Sequence, residues 1–145
     1  MAYTTENIVR EESPFKDDQL VESSYVVRAI SQADDFIDAR ISSVYLLPLD
    51  STPSLIQHCS TTLAIYYLIQ DQNLNFEISS GVDISTAVND SLAKLTMIAD
   101  RQLKLLDSAG EELETVSLIK PTGYPTNTTT DDGTAVRHFT SNQSF

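Results

Sequence analysis

Few residues in this chain are of a type and spacing that could do chemistry. The densest group is acidic: Asp34, Asp35 and Asp38. On a helix, Asp34 and Asp38 lie one turn apart on the same face, a spacing at which two carboxylates can bridge a divalent cation. The same spacing more often gives a solvated acidic face, or acids paired with basic side chains, and Arg28 and Arg40 stand close enough in sequence to serve. The reading adopted is a contact face, with Arg28, Asp35, Asp38 and Arg40 facing solvent or a neighbouring subunit. Cys59 is the sole cysteine, so no internal disulfide can form. A thiolate nucleophile needs a basic partner and an electropositive setting. His58 is adjacent, but helix neighbours point about 100° apart and do not face each other. Cys59 sits in an apolar run and reads as a small hydrophobe.

The remaining candidates are weaker. His58 and His138 are far apart, and neither belongs to a zinc-binding HExxH pattern. Asp131-Asp132-Gly133 has the form of a turn and lacks the later ligands of a calcium loop. The four glycines form no phosphate-cradling loop. No nucleophile, base and orienting group converge. The expectation is no metal, no cofactor and no catalysis: a chain built to pack and to be bound.

The charge balance narrows the partners. Nine basic residues against 21 acidic ones give a formal net charge of −12. Nucleic-acid binding relies on Lys and Arg to neutralise phosphates, and this field repels DNA. An acidic wall past which DNA slides without capture remains compatible. A 145-residue chain fits one domain with a core that needs no staples. No apolar run approaches the roughly 18 residues of a membrane span, and the first residues, MAYTTENIVREESPF, carry no apolar signal region. A cytoplasmic site of synthesis and assembly is expected.

These side chains must be positioned by helices. Residues 1–23 read as an N-terminal arm, with a short helix around 16–21 and apolar contacts from Ile8, Val9, Phe15 and Leu20. A strong helix follows, capped by Ser23 or Ser24. Val26, Ile30, Ala33, Ile37, Ile41 and Val44 recur at spacings of three and four. Arg28, Gln32, Asp35, Asp38 and Ser42 occupy the opposite face. Pro48, in the run YLLPLD, ends this pattern. Pro53 opens a second helix that runs to about Gln70. Leu55, Ile56, Cys59, Leu63, Tyr66 and Tyr67 make it apolar over much of its circumference, which marks it as the central member of a bundle. A third helix spans 86–106, with a stripe through Val88, Leu92, Leu95, Ile98 and Leu106. Asp107-Ser108-Ala109-Gly110 reads as its stop.

Composition changes after residue 108. Residues 111–120 alternate weakly through Leu113, Val116 and Leu118, as in a short strand or hairpin arm. From Pro121 the chain is rich in Thr, Asn, Pro, Gly and Asp, too polar to offset its ordering entropy by burial. It then carries Val136, Arg137, His138, Phe139 and Thr140, and ends in Phe145. Aromatic and basic residues beyond such a linker have the character of a docking peptide, the alternative being a frayed terminus. The fold class expected is all-α: a bundle of three main helices over 24–108, with a short arm at 1–23 and an extended tail at 109–145.

The stretch ADDFIDARISSVYLLPLDSTPSLIQHCSTTLAIYYL, residues 33–68, resembles the head–tail connector proteins of tailed phages, in particular the family related to a Mu-like phage protein of this size. An acid-rich helix ending in Asp-Ala-Arg is followed by Tyr-x-x-Pro-Leu, a short loop with Pro53, and a buried helix ending in Ala64-Ile65-Tyr66-Tyr67-Leu68. NDSLAKLTMIADRQLKLLD resembles the third helix of such proteins, and Arg137-x-Phe139-Thr140 their C-terminal ending. The resemblance implies a virion protein of the phage neck. It implies a dodecameric homo-oligomeric ring under the portal protein that extends the DNA channel and meets a downstream neck or tail protein. Docking on the portal falls to Val136, Arg137, His138, Phe139, Thr140 and Phe145. Two alternatives stand beside this: another neck or tail-completion protein, and an acidic DNA-mimic inhibitor. A DNA mimic places its acids in regular surface rows, whereas many here fall in the arm, the loops and the segment after the third helix.

Overall fold

The computed structural model describes residues 1–13, 21–71 and 84–116. It contains four helices: α1 (Glu6–Glu12), α2 (Ser23–Ile41), α3 (Ser54–Asp71) and α4 (Ile84–Ala99). The all-α bundle expected from the periodicity is the fold observed. Helix α3 packs against each of the other three, with α2 as its most extensive partner. Its central position follows from composition, because residues around most of its circumference, from Ile56 through Cys59 and Leu63 to Leu68, are buried.

Helix α2 presents the predicted stripe. Val26, Ile30, Ala33, Ile37 and Ile41 are all buried, and Val44 extends the row beyond the helix end. The start differs by one residue from the expected cap. Glu22 holds the N-cap position with no side-chain cap hydrogen bond. Ser23 Oγ instead donates to Glu6 Oε2 at 2.6 Å, tying α2 to α1.

The N-terminal region contains a helix that the periodicity did not reveal. The short helix expected at 16–21 lies, apart from Val21, outside the described residues. The observed α1 begins five residues into the chain, capped by Thr5, whose hydroxyl accepts from the Ile8 N–H. Seven residues form a marginal helix in isolation. Tertiary contacts hold this one: Arg10 pairs with Glu6 at 2.7 Å and also donates to the Val21 carbonyl at 3.1 Å. Tyr3 and Val9 enter the same core as the long helices.

Helix α4 ends at Ala99, seven residues before the predicted boundary. Arg101 adopts a left-handed backbone, φ 60°. The Gln102 N–H reaches back to the Met97 carbonyl at 2.8 Å, and the Arg101 N–H to the Ile98 carbonyl at 3.0 Å. That pair of bonds is a Schellman closure, usually built on glycine. The helical register is therefore lost before Leu106, which is exposed, while Leu105 turns into the core.

The predicted stop at 107–110 is instead the turn of a hairpin. Asp107 Oδ1 accepts from the N–H groups of Ala109 and Glu111 at 2.8 and 2.9 Å, and Gly110 takes the positive φ that the turn requires. Leu106 pairs with Glu112, and Tyr45 with Thr115, as isolated antiparallel bridges. The segment 112–116 thus lies between residues 44–46 and 105–107. Among the described residues these bridges do not extend into a strand, and Leu113 joins the helical core.

Candidate functional site

Two regions warrant attention: the acidic face of α2, and the end of the bundle where the hairpin meets the α2–α3 connection.

On α2 the three aspartates separate by depth. Asp34 is only 6% exposed. Its Oδ1 accepts from Ser60 Oγ on α3 at 2.6 Å, and its Oδ2 from the Tyr3 N–H at 3.1 Å. Burial pushes its carboxyl above the ordinary range, and the two hydrogen bonds only partly offset that cost. Asp38, half-buried one turn on, accepts a hydrogen bond from the Tyr3 hydroxyl. Burial first, and that bond to a carboxylate next, hold the Tyr3 phenol in its protonated form well above its usual range. Asp35 is exposed. A shallow cleft of about 210 Å³ opens here, lined by Met1, Ala2, Ile30 and the three aspartates among others.

Of the two readings open for these acids, a solvated face or pairing with Arg28 and Arg40, the described residues do not show the pairing. Among the described residues no ion pair joins Arg28 or Arg40 to Asp34, Asp35 or Asp38. Arg28 is exposed. The exposed Arg40 places its guanidinium 5.2 Å from the Phe36 ring centroid, one turn back on the same helix, a cation–π contact. Of the four residues assigned to a contact face, Arg28, Asp35 and Arg40 do point outward, whereas Asp38 is engaged by Tyr3. Among the described residues no group of three or more His, Cys, Asp or Glu side chains is placed to hold a metal ion.

The second region is built around Tyr45. Its ring is buried, its hydroxyl accepts from the Leu105 N–H at 2.9 Å, and it donates to Glu112 Oε1 at 3.4 Å. Lys104 pairs with the same Glu112 at 2.8 Å. Backbone bonds from Leu46 N–H to the Glu114 carbonyl and from Val116 N–H to the Val44 carbonyl complete the seam. Two clefts flank it. One, of about 260 Å³, lies over Tyr45, Arg101, Leu103 and Glu112. The other, of about 440 Å³, runs between Pro53 and Leu55 at the start of α3 and Leu105 and Leu106 of the hairpin. Leu46 and Leu106, 44% and 47% exposed, flank the central segment. Of the two, Leu106 lines the larger of these clefts.

Cys59 is buried, and burial raises its thiol above the ordinary range, while His58 next to it is exposed. The two side chains diverge as the helical geometry requires. The tail residues Val136, Arg137, His138, Phe139, Thr140 and Phe145 lie outside the described residues. The Asp34–Ser60 and Tyr3–Asp34 contacts were not legible in sequence, because nothing local marks a serine 26 residues away as the partner of an aspartate. The Ser60-Thr61-Thr62 run inside an otherwise apolar helix was the available signal.

The described residues form a helical bundle closed at one end by a hairpin. No curated protein matches the chain. Residues 3–118 match the profile of the family described as Bacteriophage Mu, Gp36, and the chain belongs to that family. It is a phage protein of the structural or morphogenetic kind. The match covers every described helix together with the hairpin. No helix among the described residues is long and apolar enough to cross a membrane.

Proposed function

We propose that this chain is a structural subunit of the phage head–tail connector. Copies assemble into a ring, twelve by resemblance, between the portal protein and the next neck or tail protein, and extend the DNA channel in the virion neck. The observation that carries this reading is the family match over 3–118, and the Tyr45-x-x-Pro48-Leu49 connection, which resembles that of connector proteins, supports it. The physical features agree with it. Closing a ring requires one patch to meet a different patch on the neighbour. The outward face of α2, with Arg28, Asp35 and Arg40, and the cleft lined by Leu55, Leu105 and Leu106 are two unlike patches suited to that purpose. A net charge of −12 lets DNA pass without capture. The tail, through Val136, Arg137, His138, Phe139, Thr140 and Phe145, docks on the portal. Ring multiplicity raises the total affinity of such contacts above that of any one of them. The role is architectural, with no catalytic step and no cofactor.

Mass photometry of the portal protein of the same phage, alone and with this chain, tests the proposal. The expected result is a portal complex heavier by a ring of subunits, and loss of that gain when residues 121–145 are deleted while the far-ultraviolet helical signal persists. A portal mass unchanged by the full-length chain would overturn the connector role. Undiminished binding by the truncated chain would overturn the docking role of the tail alone.

A further inference from the structure

The larger cleft at the hairpin end of the bundle has two continuous walls. Residues 51–55, entering α3, form one, and residues 104–108 of the hairpin form the other. The second wall is an open backbone edge. Leu106 faces Glu112 as a pair flanked by the bonds from Leu113 N–H to the Leu105 carbonyl and from Asp107 N–H to the Glu111 carbonyl. In such a pair the two central residues turn their own N–H and C=O groups away from each other. Those of Leu106 therefore point out of the hairpin, and neither has a hydrogen-bond partner among the described residues. Leu106, 47% exposed, shares the cleft with Pro53 and Leu55. In the opposite wall the Ser51 hydroxyl is buried without a partner among the described residues, a group that gains one if its side chain turns to an occupant. A groove with apolar walls and a free backbone edge suits an extended peptide, whose main chain pairs with the edge while alternate side chains enter the groove.

We propose that this cleft seats residues 136–140 of the chain's own tail as a strand added along the Leu106 edge. The inference rests on the cleft and concerns the chain alone; under the connector reading, the portal competes with the cleft for the same residues. The tail leaves the body close by, because the Val116 N–H is bonded to the Val44 carbonyl in the hairpin seam. Residues 117–135, extended, span up to about 60 Å, roughly twice the length of α2, so the return to the cleft is within reach.

Charge favours this segment. Of the 21 acids only Asp131 and Asp132 follow Val116, and of the nine basic residues only Lys120 and Arg137. Residues 1–116 thus hold 19 acids against seven bases, the whole net charge of −12, while residues 133–145 hold Arg137 and no acid. In an extended strand Arg137 and Phe139 share one face. The cleft offers a partner to each. Asp107 commits its Oδ1 to the turn and has no partner for Oδ2 among the described residues, whereas Lys104 is already paired with Glu112. Leu55 and Leu106 supply the apolar surface for the ring.

Two measurements on the full-length chain without portal protein test the proposal. In the unmodified protein, hydrogen exchange at the Leu106 amide is expected to be slower than its intrinsic rate by about tenfold or more, as for an edge covered nine-tenths of the time. Exchange at the intrinsic rate overturns the proposal. The chain contains no tryptophan, so Phe139→Trp introduces a single indole. Its emission is expected to be blue-shifted and shielded from iodide, and to return to that of a solvated indole when Leu106→Asp is added, the far-ultraviolet helical signal persisting. An indole open to iodide from the start, or a blue shift that Leu106→Asp leaves in place, overturns the cleft as the seat. The shift is expected to be independent of protein concentration. Its loss on dilution would assign the tail to the cleft of a second copy and overturn the intramolecular seat.

Discussion

The hydroxyl of Tyr45 accepts a hydrogen bond from the backbone N–H of Leu105 across 60 positions of sequence. This contact places the segment after α4 against the segment after α2. Both residues are buried, so the Leu105 N–H depends on that phenol for a partner. Tyr45→Phe keeps the ring and removes the acceptor. The expected cost is about 1–3 kcal/mol, that of a buried donor left unsatisfied. Urea denaturation with an unchanged slope and a lower midpoint checks it; an unchanged midpoint would show that the hairpin does not depend on this bond.

Leu63 and Leu95 anchor the packing of α3 and α4 from nearly complete burial. Truncating either to alanine is expected to destabilise the bundle by about 2–5 kcal/mol, from lost transfer free energy and the cavity left behind. Either variant matching its parent in thermal unfolding would contradict the core arrangement.

Arg101 occupies the left-handed position that closes α4. Arg101→Gly is expected to equal or exceed the parent in stability, because glycine takes that conformation without a Cβ penalty. Arg101→Val is expected to lose about 1–2 kcal/mol, the ordinary cost of a left-handed backbone made worse by branching at Cβ. The order Gly above Val in melting temperature is the check. The reverse order would mean that α4 continues past residue 101.

Cys59 is buried, and burial raises its thiol. At pH 8, where an ordinary thiol is partly ionised, this one stays protonated and shielded. Reaction with a disulfide reagent is expected to be slow in the native protein and rapid in denaturant. Fast native modification would place Cys59 on an accessible surface and contradict the packing of α3 on α4.

The helical class and its core were legible in the chain because each rests on local periodicity. Val26, Ile30, Ala33, Ile37 and Ile41 repeat at helical spacing, and any helix built on them must bury that stripe. The end of α4 was not legible. Its apolar pattern continues past Ala99 into Leu103 and Leu106, and a left-handed arginine carries no sequence mark of the kind glycine supplies. The sequence around α1 did hold a weak signal, Thr5 as a cap with Glu6 and Arg10 at i, i+4, but a helix so short depends on what it packs against.

By itself the sequence determined the all-α class, the central place of α3, the net charge of −12 and the burial of Cys59, since composition and spacing alone dictate which faces can leave water. Tertiary structure decided which polar groups meet. Asp34 was a plausible metal ligand or arginine partner in one dimension, and Ser60 and Tyr3, 26 and 31 positions away, took it instead. A buried carboxylate must find donors wherever the fold supplies them, and in this bundle they come from α3 and from the N-terminal arm.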